Sequence, residues 1–379
     1  MSVSKPKIAI VSNTAWNIVN FRLPLLHALK DNGYEPIAIA PSDEYSARIE
    51  AEGFRFIALK NLERKGTGPI KDLKLLFELR QIYRREHIAL ALHYTIKPNI
   101  YGSFAAGLSN CFSVSTVTGL GYSFLSKNWV SSLAKMLYKY AFRQANAIAF
   151  QNDDDRNLFI ETKLVQKEKT LLIRGSGVDC SYFKPLEKTK AAEKLVFLFV
   201  GRLLFDKGIK EYLYAAEKIK TIFPQTEFQI VGKLDSDNPS CISNAELENA
   251  LQQNIVAYLG ATDQVREFIR NADCVVLPSY REGLPRVMLE AISMAKPIVT
   301  TDAAGCRDTI MDGKNGFMAE SRSNESLYEA IKKICECSKA TLEEMGNEGR
   351  ELALREFDEK IVIDKYLQLI GNILRPNNS

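Results

Sequence analysis

The chain has 379 residues, of which 46% are hydrophobic and 25% charged, with a formal net charge of +4 at pH 7. This is the profile of a globular protein with material for two domains. It excludes a membrane-spanning helix, because no apolar run reaches about 18 residues. The N-terminal stretch MSVSKPKIAIVSN lacks a signal-peptide core, and seven scattered cysteines favour a reducing compartment without disulfide bonds.

Charge is distributed unevenly along the chain. Residues 1–150 hold 19 Lys and Arg against 10 Asp and Glu, an excess of nine positive charges, which leaves an excess of five negative charges in the remainder. No acidic residue occurs between His87 and Asn152. No recognised nucleic-acid motif accompanies this basic part. It suits an anionic membrane or an acceptor that carries a diphosphate.

The first half alternates buried strands with helical segments. The predicted strands are KIAIVSN, EPIAIAP, FRFIAL, IALALHY, FSVSTVTG and AIAFQN. The predicted helices are FRLPLLHALKDNG, EYSARIEAEG, IKDLKLLFELRQIYRREH, NIYGSFAAGLS and WVSSLAKMLYKYAFRQA. Repeated βα units with non-alternating strands predict a parallel sheet covered on both faces.

A second βα series follows. Its predicted strands are LVFLFVG, EFQIVG, VAYLG, CVVLPS and PIVTTD, and its helices include KEYLYAAEKIK, QVREFIRNA and VMLEAISMA. The α/β chain is therefore predicted to form two doubly wound, Rossmann-like domains, 1–185 and 186–360. The C-terminal helix, within 361–379, is expected to pack back on the first domain.

Open α/β sheets bind ligands beyond the carboxyl ends of their strands. In FVGRLLFDKG a strand ends at Gly201, Arg202 and Lys207 follow in the loop, and Gly208 permits close backbone approach. Two cations here suit a diphosphate whose leaving-group charge needs neutralising, although ordinary surface cations give the same pattern.

The segment SYREGLPRVMLEA sets Glu282 before a helix and Glu290 more than one turn inside it. Eight helical residues span at most about 12 Å, the length of a nucleotide sugar, whereas the acid pairs of glycosidases lie about 5–10 Å apart. Free amides after Glu282 and the positive helix end offer an anion pocket. We expect the two acids to bind hydroxyls at two ends of one ligand; the alternative is a capping Glu282 and a surface Glu290.

These motifs together resemble a known family. FVGRLLFDKG, the E-x7-E spacing of EGLPRVMLE, and PIVTTDAAGCRDTIMDGKNGF look like those of the family 4 retaining glycosyltransferases, which have the GT-B fold. NTAWNIVNFRLPLLHAL, TIKPNIYGSFAAG and TVTGLGYSF are similar to enzymes of capsule, O-antigen lipopolysaccharide and bacterial N-glycan assembly. Among these, enzymes that add N-acetylgalactosamine to an undecaprenyl-diphosphate-linked sugar look most similar, and the resemblance covers nearly the whole chain.

The resemblance implies a role for each matching residue. Arg202 and Lys207 bind the diphosphate of a UDP-sugar donor, Glu282 contacts hydroxyls of the transferred sugar, and these three are the predicted catalytic residues. Glu290 holds the ribose hydroxyls. The rest of the implied donor-binding set is Gly201, Gly283, Leu284 and Pro285. The residues implied to line the acceptor side of the cleft are Asn17, His93, Lys97, Gly119 and Gly121.

One histidine departs from the family pattern. Relatives often have a histidine at the position that aligns with Tyr94, whereas this chain has His93 one place earlier. Neighbouring residues of a strand point to opposite faces. His93 is therefore either a catalytic residue or a buried structural one.

No metal and no cofactor are predicted, apart from the UDP-sugar as donor substrate. The acidic run in QNDDDRNLF follows a strand and begins a helix, where aspartates cap free amides and complement the helix dipole. Cys335 and Cys337 lack a second cluster of ligands for zinc.

The predicted helix at 129–143 is amphipathic. Its basic residues, spaced i, i+4 and i+8, are Lys135, Lys139 and Arg143. On a different stripe lie Trp129, Leu133, Met136 and Tyr140. This pattern favours attachment to an anionic membrane over a core helix with a solvated basic face. We expect a cytoplasmic protein, peripheral on the inner face of the cell membrane, that takes a polyprenyl-diphosphate-linked saccharide as acceptor and binds no nucleic acid.

Two alternative functions stay open at this point. A UDP-sugar 2-epimerase has the same two-domain fold but needs no acceptor, and a non-catalytic scaffold would bind the sugar nucleotide without turnover. A dehydrogenase is disfavoured because the first strand leads into SNTAWNIVN, without G-x-G-x-x-G.

Overall fold

A computed structural model describes residues 5–63, 68–120, 129–189, 194–236 and 238–375. The chain forms two compact units. The first consists of Met1–Ser176 together with Lys360–Ser379, and the second of Gly177–Glu359. Each unit has a parallel sheet and a hydrophobic core of its own.

The first unit contains a seven-stranded parallel sheet in the order β3-β2-β1-β4-β5-β6-β7. Its strands are β1 (Lys7–Val11), β2 (Glu35–Ala40), β3 (Arg55–Ala58), β4 (Ile88–Tyr94), β5 (Phe112–Val117), β6 (Ala147–Phe150) and β7 (Thr170–Leu172). Its helices are α1 (Ala15–Phe21), α2 (Leu23–Asp31), α3 (Ser46–Ala51), α4 (Pro69–Arg85), α5 (Ser103–Gly107), α6 (Trp129–Gln144), α7 (Asp153–Glu161) and the C-terminal helix.

Successive residues of the first sheet enter cores on opposite faces. Ile8 and Ile10 of β1 belong to one buried cluster, and Ala9 and Val11 belong to another. The C-terminal helix, Glu359–Leu374, contributes Val362, Tyr366 and Ile370 to the first of these clusters. Both faces are therefore covered, and the strands have continuous apolar sequences for that reason.

The second unit contains a six-stranded parallel sheet in the order β10-β9-β8-β11-β12-β13. Its strands are β8 (Leu195–Val200), β9 (Thr226–Val231), β10 (Ala257–Tyr258), β11 (Cys274–Leu277), β12 (Ile298–Thr301) and β13 (Gly316–Ala319). Its helices are α8 (Ile209–Ile222), α9 (Asn244–Gln252), α10 (Val265–Asn271), α11 (Arg286–Ser293), α12 (Asn324–Glu336) and α13 (Lys339–Leu352); the C-terminal helix is α14.

The boundary between the units lies earlier than residue 185. The backbone N–H of Val178 donates to Phe357 (2.9 Å), and that of Glu359 donates to Val178 (3.0 Å). Arg350 of α13 donates to the carbonyl of Phe183 at 3.2 Å. These bonds attach residues 177–185 to the second unit. The boundary therefore follows Ser176, whereas the sequence predicted it after residue 185.

The predicted elements miss two edge strands, β7 and β13. Their apolar runs, LLI at 171–173 and FMA at 317–319, are only three residues long, below the about 4–8 residues that indicate a buried strand. The single helix predicted at NIYGSFAAGLS is a π-helical turn, Pro98–Gly102, followed by α5.

Candidate active site

The strand order of the second sheet reverses between β8 and β11, which places the loops after these strands side by side. A backbone hydrogen bond of 2.9 Å joins them, from Tyr280 to the carbonyl of Asp206. Gly208 has a φ of +76°, and a side chain there would collide with the carbonyl of Pro278. Glycine therefore lets the first loop run directly against the second.

Lys207 and Glu282 face each other across these two loops. The ammonium of Lys207 donates to Oε1 of Glu282, and Ser279 donates its hydroxyl to the same oxygen at 2.7 Å. The backbone N–H of Glu282 donates to Ala304 at 2.9 Å. Gly305, with a φ of +77°, packs so closely that a side chain would collide with the Glu282 carbonyl. The carboxylate is thus fixed by its side chain and by its backbone.

Arg202 lies in the same loop but is more exposed. Its side chain is 45% exposed, and Nη1 is 3.4 Å from the carboxylate of Asp235. Gly201 directly follows β8, and its N–H donates to the carbonyl of Val231 at 2.9 Å. The two predicted diphosphate cations therefore differ: Lys207 is half-buried and fixed, while Arg202 faces solvent.

Glu290 lies in the second turn of α11. Pro285 occupies the N-cap of this helix without a side-chain cap bond, so Glu282 is not the capping residue. Glu290 is buried, and Arg286 donates to its Oε1 at 2.9 Å. Burial raises the pKa of Glu290, and Arg286 partly opposes that shift. The alternative of a capping Glu282 and a surface Glu290 is wrong.

The turn between the two acids is compact. Leu284 is buried in the core of the second unit, and Gly283 lies next to Gly305, whose conformation only glycine adopts readily. The backbone amides of this turn precede the start of α11, so they lie at the positive end of the helix dipole.

A tyrosine and an acid beside this site escaped the sequence analysis. Tyr280 donates its hydroxyl to Glu211 of α8 at 2.6 Å, and the guanidinium of Arg322 lies 4.9 Å from the Tyr280 ring centroid. Burial and the bond to Glu211 raise the pKa of Tyr280. The second carboxylate oxygen of Glu211 is buried without a partner in the described residues. Glu211 is an acidic residue on the core-facing side of α8, and that position is the sequence signal that could have identified it.

The predicted acceptor-side residues lie in the first unit. Asn17 is in the first turn of α1, where its N–H donates to Thr14 Oγ1 at 3.0 Å. Lys97 follows β4 and donates to Asp72 of α4 at 2.8 Å, and Tyr101 donates to the other oxygen of Asp72 at 3.0 Å. Gly119 follows β5 with a φ of +116°. Gly121 lies outside the described residues.

His93 belongs to the core of the first unit. It is fully buried, and its Nε2 is 2.9 Å from the hydroxyl of Tyr83. A Cβ on Gly102 would lie 2.5 Å from the same nitrogen, so the ring fills the space that glycine leaves. Burial lowers the pKa of His93 to about 3, which keeps the imidazole neutral. Of the two alternatives for His93, this geometry favours the structural one.

The acidic run after β6 forms the first turn of α7. Asn152, not an aspartate, is the N-cap, and its side chain accepts from the N–H of Asp155 at 2.7 Å. The three aspartates that follow complement the helix dipole. Among the described residues, no group of three or more His, Cys, Asp or Glu side chains could hold a metal ion.

Two family descriptions match this chain, one in each half. Residues 7–152 match Glycosyl transferase 4-like, and residues 184–352 match Glycosyl transferases group 1. The chain is a glycosyltransferase. The group 1 match contains all the predicted donor-side residues, from Gly201 to Glu290.

The glycosyltransferase is 29% identical to N,N'-diacetylbacillosaminyl-diphospho-undecaprenol alpha-1,3-N-acetylgalactosaminyltransferase of Campylobacter jejuni, over 97% of this chain and 99% of that protein. It is 27% identical to UDP-Gal:alpha-D-GlcNAc-diphosphoundecaprenol alpha-1,3-galactosyltransferase of Escherichia coli, over 70% of this chain and 71% of that one. These matches favour the transferase over the epimerase alternative.

Solved structures share the fold of this glycosyltransferase. HepE of Anabaena, crystallised in complex with UDP, superposes with a TM-score of 0.79 at 19% identity, covering 97% of this chain and 100% of HepE. The predicted GT-B fold, with two Rossmann-like units, is confirmed.

Proposed function

We propose that this glycosyltransferase moves a sugar, an N-acetylhexosamine, from a UDP-sugar to a lipid-diphosphate-linked saccharide during assembly of a surface polysaccharide or glycan. The observation that carries the proposal is the contact between Lys207 and Glu282 at the sheet's switch point. The names of the Campylobacter and Escherichia relatives support the acceptor class, and the UDP complex of HepE supports the donor class.

A UDP-sugar fits the arrangement of Lys207 and Glu282 in the second unit. Its anomeric carbon is bonded directly to the diphosphate, so a cation for phosphate and an acid for sugar hydroxyls belong next to each other. Lys207 and Glu282 have that arrangement. An ammonium has three N–H donors, so the bond to Glu282 leaves Lys207 able to donate to phosphate oxygens. Arg202 supplies a second positive charge from the same loop.

The buried Glu290 supplies the other end of the donor site. Its carboxylate accepts a bond from Arg286 through one oxygen, Oε1. A carboxylate has about four acceptor positions, so it can also accept from the two ribose hydroxyls. We assign ribose recognition to Glu290, in the second turn of α11.

We propose front-face attack with retention of configuration. The acceptor hydroxyl oxygen bonds to the anomeric carbon on the face from which the diphosphate oxygen leaves, and that leaving oxygen takes the hydroxyl proton. Lys207 and Arg202 neutralise the negative charge that develops on the diphosphate. Glu282 orients the sugar through its hydroxyls and forms no covalent bond.

Exposed apolar side chains support a peripheral contact with an anionic membrane. On α6, Leu133, Met136 and Tyr140 are 37%, 49% and 50% exposed. They occupy one stripe, on the same helix as the three basic residues Lys135, Lys139 and Arg143. On α4, an exposed stripe at i, i+3 and i+7 consists of Ile70, Leu73 and Phe77. Within the described residues, no helix is long and apolar enough to cross a membrane, so contact would be made by these stripes.

A transfer assay tests the catalytic proposal. UDP-GalNAc, UDP-GlcNAc, UDP-Gal and UDP-Glc are each incubated with the full-length protein and synthetic short-chain lipid-diphosphate saccharides, and products are identified by mass spectrometry and NMR. We expect α-linked product with one of the N-acetylated donors. A donor-only reaction that yields an epimerised sugar with free UDP, or no product with any donor, would overturn the proposal.

Liposome flotation tests the membrane contact. We expect the protein to bind vesicles that contain about 30% anionic lipid and to bind zwitterionic vesicles very little. The double variant Lys135→Glu with Lys139→Glu should bind the anionic vesicles about tenfold more weakly. The matched control reverses charge on α12 and α13, with Lys332→Glu and Lys339→Glu. Equal binding by both double variants would contradict the assignment to α6.

A further inference from the structure

The first sheet has a switch point of its own, between β1 and β4. From β1 the strands continue outward to β3 on one side, and from β4 they continue outward to β7 on the other. In this parallel pair Val11 is opposite His93. Ser12 and Thr95, the residues that follow the two strands, therefore lie at the same carboxyl edge. Ligands of doubly wound sheets bind at such an edge.

A buried arginine without an ionic partner lies there. Arg22, between α1 and α2, is only 3% exposed, and its guanidinium carbon is 4.0 Å from the ring centroid of Tyr94, the last residue of β4. Its Nε is buried without a hydrogen-bond partner, and the described residues provide its guanidinium with neither an ion pair nor a hydrogen bond.

The energies indicate that this arrangement is incomplete. A cation–π contact stabilises a desolvated cation only modestly. Removing a charged group from water costs several kcal/mol unless an opposite charge and hydrogen bonds compensate it. Tyr94 alone therefore does not balance the burial of Arg22, and the described residues place no acidic side chain in an ion pair with it. Lys97, the cation that follows β4, already has Asp72 as its partner.

Two further polar groups follow β1 and β4 at the same edge of the sheet. The Oγ of Ser12 and the Oγ1 of Thr95 are both buried without a partner among the described residues. Thr95 has a φ of +72°, a conformation that a β-branched residue rarely adopts. Strain of this kind is commonly retained where it serves a ligand.

We propose that Arg22, Ser12 and Thr95 form an anion-binding subsite for a phosphate group of the acceptor's diphosphate. A guanidinium donates two parallel N–H bonds to phosphate oxygens, and hydroxyls donate to the remaining ones. The donor's diphosphate has its own cations in the second unit, so the anion bound here belongs to the other substrate. The assignment to the acceptor rests on the proposed function; the anion site itself does not.

The first test measures binding of inorganic pyrophosphate by calorimetry with UDP present at saturation, so that the donor site is occupied. We expect the wild type to bind pyrophosphate and Arg22→Gln to bind it at least tenfold more weakly, with Arg22→Lys between them. Lys30→Gln is the matched control, because the ammonium of Lys30 also lies over a ring, 5.5 Å from the Phe54 centroid. Equal affinity in the wild type and Arg22→Gln would overturn the subsite.

The second test uses turnover with a short-chain lipid-diphosphate saccharide. We expect Arg22→Gln to raise the KM for the acceptor at least tenfold while leaving the KM for the UDP-sugar unchanged. The variant Thr95→Val, which keeps the branched shape and removes the hydroxyl, serves if Arg22→Gln does not fold, and its acceptor KM should rise severalfold. An unchanged acceptor KM in a folded variant would overturn the subsite.

The two proposals fail in different ways. If the wild type transfers no sugar but Arg22 still controls pyrophosphate affinity, the catalytic proposal is wrong and the anion site stands. If transfer proceeds and Arg22→Gln changes neither pyrophosphate affinity nor acceptor KM, the subsite is wrong and the transferase assignment stands.

Discussion

The ammonium of Lys207 contacts the carboxylate of Glu282, although 75 residues separate them in the chain. Both side chains are mostly buried, and the contact bridges the loops after β8 and β11. Because both are mostly shielded from water, each charge stabilises the other more strongly than it would in bulk solvent. The pair therefore fixes one geometry for the phosphate-binding cation and the sugar-binding acid.

Glu282→Gln tests the catalytic role of this pair. We expect kcat to fall at least about 100-fold, because the amide keeps the shape but binds the sugar hydroxyls and Lys207 less strongly. Lys207→Met should cause a loss of similar size, and the double variant should lose less than the product of the single losses, since both changes disrupt one unit. Steady-state kinetics with the active donor gives all three values.

Lys210→Met is the control for that series. Lys210 lies three residues beyond Lys207, and its ammonium pairs with Glu246 at 3.7 Å instead of facing Glu282. Its loss should leave kcat unchanged. Near-normal turnover in Glu282→Gln would remove the assigned role, particularly if Arg202→Ala were also harmless.

Arg202→Ala should weaken UDP binding in a salt-dependent manner. Because the Arg202 side chain is 45% exposed, its attraction for the diphosphate is screened by ions. We expect UDP to bind about 5–10-fold more weakly than to the wild type at low ionic strength, with a smaller difference at ~0.5 M salt. Calorimetry at the two salt concentrations measures it. The same ratio at both concentrations would contradict a solvent-facing role.

Glu290→Gln should change thermal stability and UDP affinity in opposite directions. Burial raises the pKa of Glu290 above its value in the unfolded chain, so the native state holds the proton more tightly. Stability contributed by the protonated form is present at low pH and is lost as pH rises through the raised pKa. The variant should therefore melt at least as high as the wild type at pH 7, with the difference disappearing below about pH 4.

The same variant should bind UDP at least about tenfold more weakly, because a charged acceptor of the ribose hydroxyls is lost. Glu343→Gln on α13, whose side chain is 67% exposed, is the control and should change neither melting nor binding. Unchanged UDP affinity in Glu290→Gln would place the ribose elsewhere.

The two-unit fold could be predicted from sequence because its signals are local. Buried runs such as LVFLFV mark the central strands, and the i, i+4 spacing of Arg286 and Glu290 makes their ion pair visible in the sequence. The edge strands β7 and β13 were missed because each contributes an apolar run of only three residues, LLI and FMA, which is too short to indicate a strand.

The contacts that organise the sites are non-local. The pairing of Lys207 with Glu282 and of Tyr280 with Glu211 follows from β8 lying beside β11, and no spacing in the sequence reports it. The environment of His93 depends on Gly102, which leaves room for its ring, and on Tyr83, which comes from α4. Sequence could narrow His93 to two roles, and its packing favours the structural one.

Tyr280→Phe should impair catalysis indirectly. The hydroxyl of Tyr280 satisfies one oxygen of the buried Glu211, and its backbone N–H holds Asp206 beside Lys207. Removing the hydroxyl leaves a buried carboxylate unpaired, which costs about 1–3 kcal/mol of stability. Tyr280 is a positioning residue, so we expect kcat to fall severalfold with UDP affinity little changed. The double variant with Glu211→Gln should recover part of the stability; no recovery would contradict the coupling.

His93 should make stability depend on pH without affecting the pH profile of catalysis. Its pKa is about 3 in the native state against 6.5 in the unfolded chain, so the unfolded state binds more protons between these values. The contribution is complete well above pH 6.5 and decreases as pH falls toward the native pKa, by at most about 1.4 kcal/mol per unit. Between pH 6.5 and 5, denaturant unfolding should show the wild type losing about 2 kcal/mol more than His93→Gln. If kcat of His93→Gln fell 100-fold in a protein of normal stability, His93 would be catalytic after all.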